Sequence, residues 1–127
     1  MAEEASESVG LLLSDDLLFT SRITGTARAL GLNVNSVRSF DALLAQAVQR
    51  RPACVILDLG MPGLVLAELF RQLGDDRPRV VAYGSHVDAE SLRAARAAGC
   101  DPVMPRSQFV EVLSSALPGW FAGREGS

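Results

Sequence analysis

Hydrophobic residues along this chain come in short unbroken runs, and these alternate with longer stretches in which they recur every three or four positions. The runs Val9–Ser14 (VGLLLS), 54–57 (CVIL) and Val80–Tyr83 are short and continuously apolar. That is the pattern of strands buried on both faces in a parallel sheet. Between the first two, Leu18, Ile23, Ala27 and Leu30 are spaced for a helix over about Leu17–Leu30, with Gly31 as its stop. Leu32–Val37 reads as a second strand. Ser39 or Asp41 can cap a second helix, whose Leu43, Leu44, Ala47 and Val48 form an apolar stripe that ends at Arg50, Arg51 and Pro52. The pattern continues with a helix over Leu64–Leu73 closed by Gly74, a polar turn at 75–79, and a helix over Ala89–Ala98 capped by Asp88 and stopped by Gly99. A short strand over Pro102–Met104 and a helix from Ser107 to about Leu117, before Pro118-Gly119, complete it.

Five strand–helix units in 127 residues predict an α/β fold: a doubly wound five-stranded parallel sheet with helices on both faces. The flavodoxin-like strand order 2-1-3-4-5 suits that layout, with its switch point between strands 1 and 3. The folded unit is expected over 9–121, between a disordered acidic tail at 1–8 and a frayed tail at 122–127.

A hydrophobic share of 48% with only 6% aromatics assigns the core mainly to Leu, Val and Ala. The net charge of -3 and pI of about 5.1 argue against nucleic acid as a direct partner, since phosphate binding needs a basic patch. No apolar run approaches the roughly 20 residues of a membrane span. The opening MAEEASES is acidic, the opposite of a secretory leader. Cys54 and Cys100 lack CxxC or zinc spacing and read as reduced packing residues of a cytoplasmic protein.

Candidate chemistry gathers at the carboxyl ends of strands 1 and 3, the edge where open α/β sheets bind ligands. Strand 3 ends in Asp58 and is followed by the turn Gly60-Met61-Pro62-Gly63, while Asp15 and Asp16 follow strand 1. Any one of these acids could be a helix or loop cap; two converging at the switch point favour a site.

VILDLGMPG (55–63), the approach AARAAGCD (94–101) and the spacing from Asp15 to Gly31 resemble the receiver domains of two-component response regulators (CheY-like) along nearly the whole chain. The resemblance implies that Asp58 is the phosphoacceptor. It further implies that Asp15 contacts Mg²⁺ directly and that Gly60 lends the metal its backbone carbonyl. Two carboxylates, Asp15 and Asp58, would hold Mg²⁺ only weakly, because the first of the family's paired acids is here Ser14, a degenerate position. Asp16, one position late, would turn toward the first helix; a register shifted by one would instead make Asp15 and Asp16 the pair, but Ser14/Asp15 preserves the helix length to Gly31.

The family's strand-4 hydroxyl aligns with Gly84, so a hydrogen bond to the phosphoryl group worth roughly 1.5–3 kcal/mol is missing. Ser85 and His86 are the nearby substitutes. The family's lysine aligns with Arg106 and its following proline with Ser107, which makes a cis bond there improbable. Arg106 keeps the charge and can bridge a carboxylate or phosphate, and an Asp58 so paired would be a poor nucleophile.

The overall match is to an atypical or pseudo-receiver: a phosphorelay signalling domain acting mainly through protein contacts, with a sensor histidine kinase or another signalling protein as partner. The rival reading is a stand-alone regulator phosphorylated at Asp58. The family's docking and dimerisation face, fourth helix, fifth strand and fifth helix, carries Leu92, Ala95, Ala98, Val103, Phe109, Val112 and Leu113 here; a homodimer would form through it. Trp120-Phe121 would be an exposed apolar spot unless it folds back or meets a partner. An enzyme on this fold is disfavoured. SDDLL would repel a flavin phosphate, and position 60 is glycine where aspartate-nucleophile phosphatases carry a second acid.

Overall fold

The computed structural model describes residues 8–126, with side chains as far as 122. Apart from Ser8, the acidic tail expected over 1–8 lies outside the described residues. Five strands, β1 (Gly10–Leu13), β2 (Val34–Val37), β3 (Cys54–Asp58), β4 (Arg79–Gly84) and β5 (Val103–Pro105), form one parallel sheet in the order β2-β1-β3-β4-β5. The helices are α1 (Leu17–Ala29), α2 (Phe40–Arg50), α3 (Leu66–Leu73), α4 (Ala89–Ala98) and α5 (Arg106–Gly126).

Side chains alternate across a strand, and here the alternation sorts the core into two layers. Leu11, Leu13, Val55, Leu57, Val80 and Ala82 face α2, α3 and α4, whose Phe40, Leu43, Ala47, Leu69, Leu92 and Ala95 complete that cluster. Leu12, Cys54, Ile56, Val81, Tyr83 and Met104 face α1 and α5, meeting Ile23, Ala27, Phe109, Leu113, Leu117 and Trp120. Strands covered on both faces explain why their sequences are apolar without interruption.

Local signals fix the helix starts. Asp16 caps α1 by accepting the Phe19 N–H, Ser39 caps α2 through the Ala42 N–H, and Asp88 caps α4 through the Ser91 N–H. Ser39 thus takes the role that Asp41 could also have filled. The third helix begins at Leu66 rather than Leu64, and its N-cap Val65 supplies no side-chain hydrogen bond.

The chain end departs from expectation. Pro118 was expected to end the last helix near Leu117, yet α5 continues to Gly126, so the tail expected over 122–127 is helical as far as that residue. Aromatic burial accounts for the extension. Trp120 is buried and stacks on Phe109 at 5.6 Å, and Phe121 lies over Gly10, where an added Cβ would meet its Cζ at 2.9 Å. Covering a Trp and part of a Phe recovers roughly 3–6 kcal/mol. That offsets the ~3 kcal/mol cost of an interior proline.

Candidate functional site

Asp58 closes β3 at the carboxyl edge of the sheet, directly opposite Tyr83 of β4 in the parallel register. Its carboxylate is buried. Oδ1 accepts the Gly60 N–H at 2.9 Å, so Gly60 presents its N–H to Asp58. Oδ2 faces the Arg106 guanidinium, with Nη2 at 3.5 Å. Burial raises the Asp58 pKa above the usual value, the Gly60 N–H and then Arg106 pull it down, and the charges of Asp15 and Asp16 push it up again.

The β1–α1 turn supplies the other acids. Ser14 is buried, and its Oγ accepts the Asp16 N–H at 3.2 Å. Asp15 is exposed. Asp16 does two things at once: Oδ1 takes the Phe19 N–H at 3.1 Å as the helix cap, and Oδ2 accepts from Arg106 Nη1 at 3.3 Å. Both bonds hold its pKa below the usual value, the Phe19 N–H most strongly. Asp16, which the sequence offered as a cap or as the second acid of a register shifted by one, is therefore the acid that pairs with Arg106. Its place one residue before an apolar helical stretch signalled a cap, and a cap uses only one carboxylate oxygen.

Arg106, the first residue of α5, joins these parts. Its guanidinium lies over the Phe19 ring at 4.6 Å and the Tyr83 ring at 5.6 Å, while two of its nitrogens face two carboxylates. Aromatic faces attract a guanidinium, so rings and acids hold the same group from different sides. Beneath it the Tyr83 side chain is fully buried, and its hydroxyl has no hydrogen-bond partner among the described residues. Burial pushes that hydroxyl's pKa up, and the Asp58 charge adds to the effect. Ser14 Oγ is near enough to oppose them, although the pair does not reach hydrogen-bond geometry.

On the other side of Asp58 an open cavity of about 590 Å³ is lined by Leu59, Gly60, Gly84, Ser85, His86, Asp88, Pro105, Arg106, Ser107 and Val110. Gly84 leaves part of this space: a Cβ there would sit 3.4 Å from Leu59 Cβ and 3.5 Å from Leu92 Cδ2, in ordinary contact. Ser85 and His86 are exposed at its rim, and Ser85 Oγ accepts the Val87 N–H at 3.3 Å within its own loop. The cis peptide among the described residues is Asp101–Pro102; none is found at Arg106–Ser107.

The resemblance implies Mg²⁺, and the donor set does not fit it. Asp58 and Asp16 each give one oxygen to a backbone N–H and the other to Arg106. Among the described residues no group of three His, Cys, Asp or Glu side chains is arranged to hold a metal ion.

No protein-family model matches the sequence, and neither does any curated protein sequence. Solved structures do match. The receiver domain protein (CheY-like) of Methanospirillum hungatei JF-1 superposes with a TM-score of 0.80 at 14% identity, covering 94% of this chain and 98% of that one. The fold is that of a response-regulator receiver domain. A receiver domain protein from Clostridium thermocellum gives 0.79 at 18% identity over 93% and 97% of the two chains. One from Bermanella marisrubri gives 0.76 at 19% over 90% and 98%. The fold brings Asp58 at the end of β3, Asp16 in the β1–α1 turn and Arg106 at the start of α5 together at the carboxyl edge of the sheet. No helix among the described residues is long and apolar enough to cross a membrane.

Proposed function

We propose that this chain is a receiver-like signalling domain of two-component phosphorelay pathways, with a degenerate phosphorylation pocket, that acts mainly through protein–protein contacts in the cytoplasm. The observation that carries this reading is the Arg106 bridge from Asp58 to Asp16. A carboxylate that shares its outer oxygen with a guanidinium is a weak nucleophile toward a phosphodonor. Even after transfer, Gly84 offers no hydroxyl to the phosphoryl group, so the step that converts phosphorylation into movement lacks its usual hydrogen bond.

Partner contact is supported by the rim around Asp58. Leu17, Leu18, Val65 and Val87 are exposed large apolar side chains, all on loops or first turns at the carboxyl edge of the sheet. A sensor histidine kinase or another signalling protein is the partner class proposed. The α4–β5–α5 face offers less apolar surface for a homodimer. Of the residues expected there, Leu92, Ala95, Val103, Phe109 and Leu113 pack inward, which leaves Ala98 exposed and Val112 partly so.

Intact-mass spectrometry after acetyl phosphate and Mg²⁺ tests the proposal. No stable +80 Da adduct, or an adduct that leaves the amide resonances of α4 unmoved, is the expected result. Stoichiometric phosphorylation of Asp58, lost in Asp58→Ala and accompanied by shifts spreading to α4, would overturn it in favour of a working stand-alone regulator.

A further inference from the structure

We infer that Arg106 is the resident cation of this pocket, and that its guanidinium closes the site to divalent metal ions. Three independent features of the geometry converge on it. Its Nη1 and Nη2 face Asp16 Oδ2 at 3.3 Å and Asp58 Oδ2 at 3.5 Å, oxygens from two different strand ends. The remaining oxygen of each acid already accepts a backbone N–H, from Phe19 and from Gly60. The guanidinium is also fixed in orientation by the Phe19 and Tyr83 rings, at 4.6 and 5.6 Å.

A hard cation such as Mg²⁺ needs free carboxylate oxygens in near-octahedral array. Here it would have to displace a like charge held on four sides. Of the acids in the β1–α1 turn, the one left outside the bridge is Asp15, which is exposed, and a single carboxylate is a poor magnesium site. Arginine suits this role because it stays charged and its planar fork reaches two acceptors at once. Ser14 fits the same scheme. A third carboxylate at that buried position would add to the negative charge that one guanidinium between two carboxylates already leaves uncompensated. The inference deepens the proposed function, and rests on it only in taking Asp58 as the centre of the site.

Amide NMR titration of the full chain with Mg²⁺, and with Mn²⁺ as a paramagnetic probe, tests it. In the wild type, the resonances of Asp15, Asp16, Asp58 and Gly60 are expected to show no saturable shift up to about 20 mM Mg²⁺ and no site-specific Mn²⁺ broadening. Removing the charge with Arg106→Ala is expected to produce saturable shifts at those amides, with apparent affinity at least about tenfold tighter than wild type. Arg106→Gln serves the same purpose if the alanine variant loses its native spectrum. Saturable Mg²⁺ binding at these amides in the wild type would overturn the inference, and so would folded variants that bind no better than wild type. A wild type that takes up Mg²⁺ yet resists acetyl phosphate sinks this inference alone. One that is phosphorylated and switches without metal uptake sinks the functional reading alone.

Discussion

Replacing Tyr83 by phenylalanine should make this protein more stable, the reverse of what removing a buried hydroxyl usually does. The side chain is fully buried, and its hydroxyl is unpartnered among the described residues. An unpaired buried polar group costs about 1–3 kcal/mol of desolvation that nothing returns. Deleting one oxygen leaves a void of roughly 10–15 Å³, which costs only ~0.3 kcal/mol at the usual cavity slope. The rings of Phe19 and Phe109 at 5.1 and 4.6 Å keep their contacts, and so does the guanidinium above. The net expectation is a gain of about 1–2 kcal/mol. Urea unfolding followed by far-ultraviolet circular dichroism would read it as a higher midpoint with unchanged slope, by about 0.5–1.5 M for a domain of this size. Repeating the substitution in Ser14→Ala should give the same gain within about 0.5 kcal/mol, because Ser14 is not a hydrogen-bond partner. A loss of stability in Tyr83→Phe, or a gain that depends on Ser14, would refute the account and mean that the hydroxyl is paired.

Three further expectations concern other parts of the fold. Gly10→Ala should destabilise by about 1–2 kcal/mol, since its Cβ would press on Phe121 at 2.9 Å; in a Phe121→Ala background the same change should turn neutral or favourable, as measured by thermal unfolding. Burial raises the Asp58 pKa from the usual 3.8. A raised carboxyl pKa means the fold prefers the protonated acid, so Asp58 withdraws stability as pH climbs from 3.8 through the folded pKa. Asp58→Asn is accordingly expected to be more stable than wild type at pH 7, with the difference shrinking as pH falls below that folded pKa. Burial also pushes the thiols of Cys54 and Cys100 up to about 12 and about 11, so iodoacetamide at pH 8 should label neither in the native protein and both in urea.

How much of this could be read in advance differs from element to element. The strands were legible because burial on both sheet faces forces continuous apolar runs such as CVIL before Asp58. The helix caps were legible because Ser39 and Asp88 accept N–H groups only three residues on, from Ala42 and Ser91. The end of α5 was not, since the local signal of Pro118 competes with tertiary burial of Trp120 and Phe121, which no local pattern encodes. Within the site, Asp58 and Arg106 could be picked out from spacing and resemblance. The second partner of Arg106 could not: the choice between Asp15 and Asp16 depends on which carboxylate faces a guanidinium 90 residues downstream.

The seating of Phe121 on Gly10 bears on how the protein comes into being. β1 sits inside the sheet, between β2 and β3, and on one face it is sealed by a side chain made only after Pro118. During synthesis the earlier units can pair and collapse, but the start of β1 stays uncovered until the residues beyond Pro118 have left the ribosome. Native packing of the first strand is therefore a late event in the life of the nascent chain. An interruption of translation between Leu117 and Phe121 would release a sheet with an apolar breach at the start of β1, and such a breach is a ready target for chaperones and proteases.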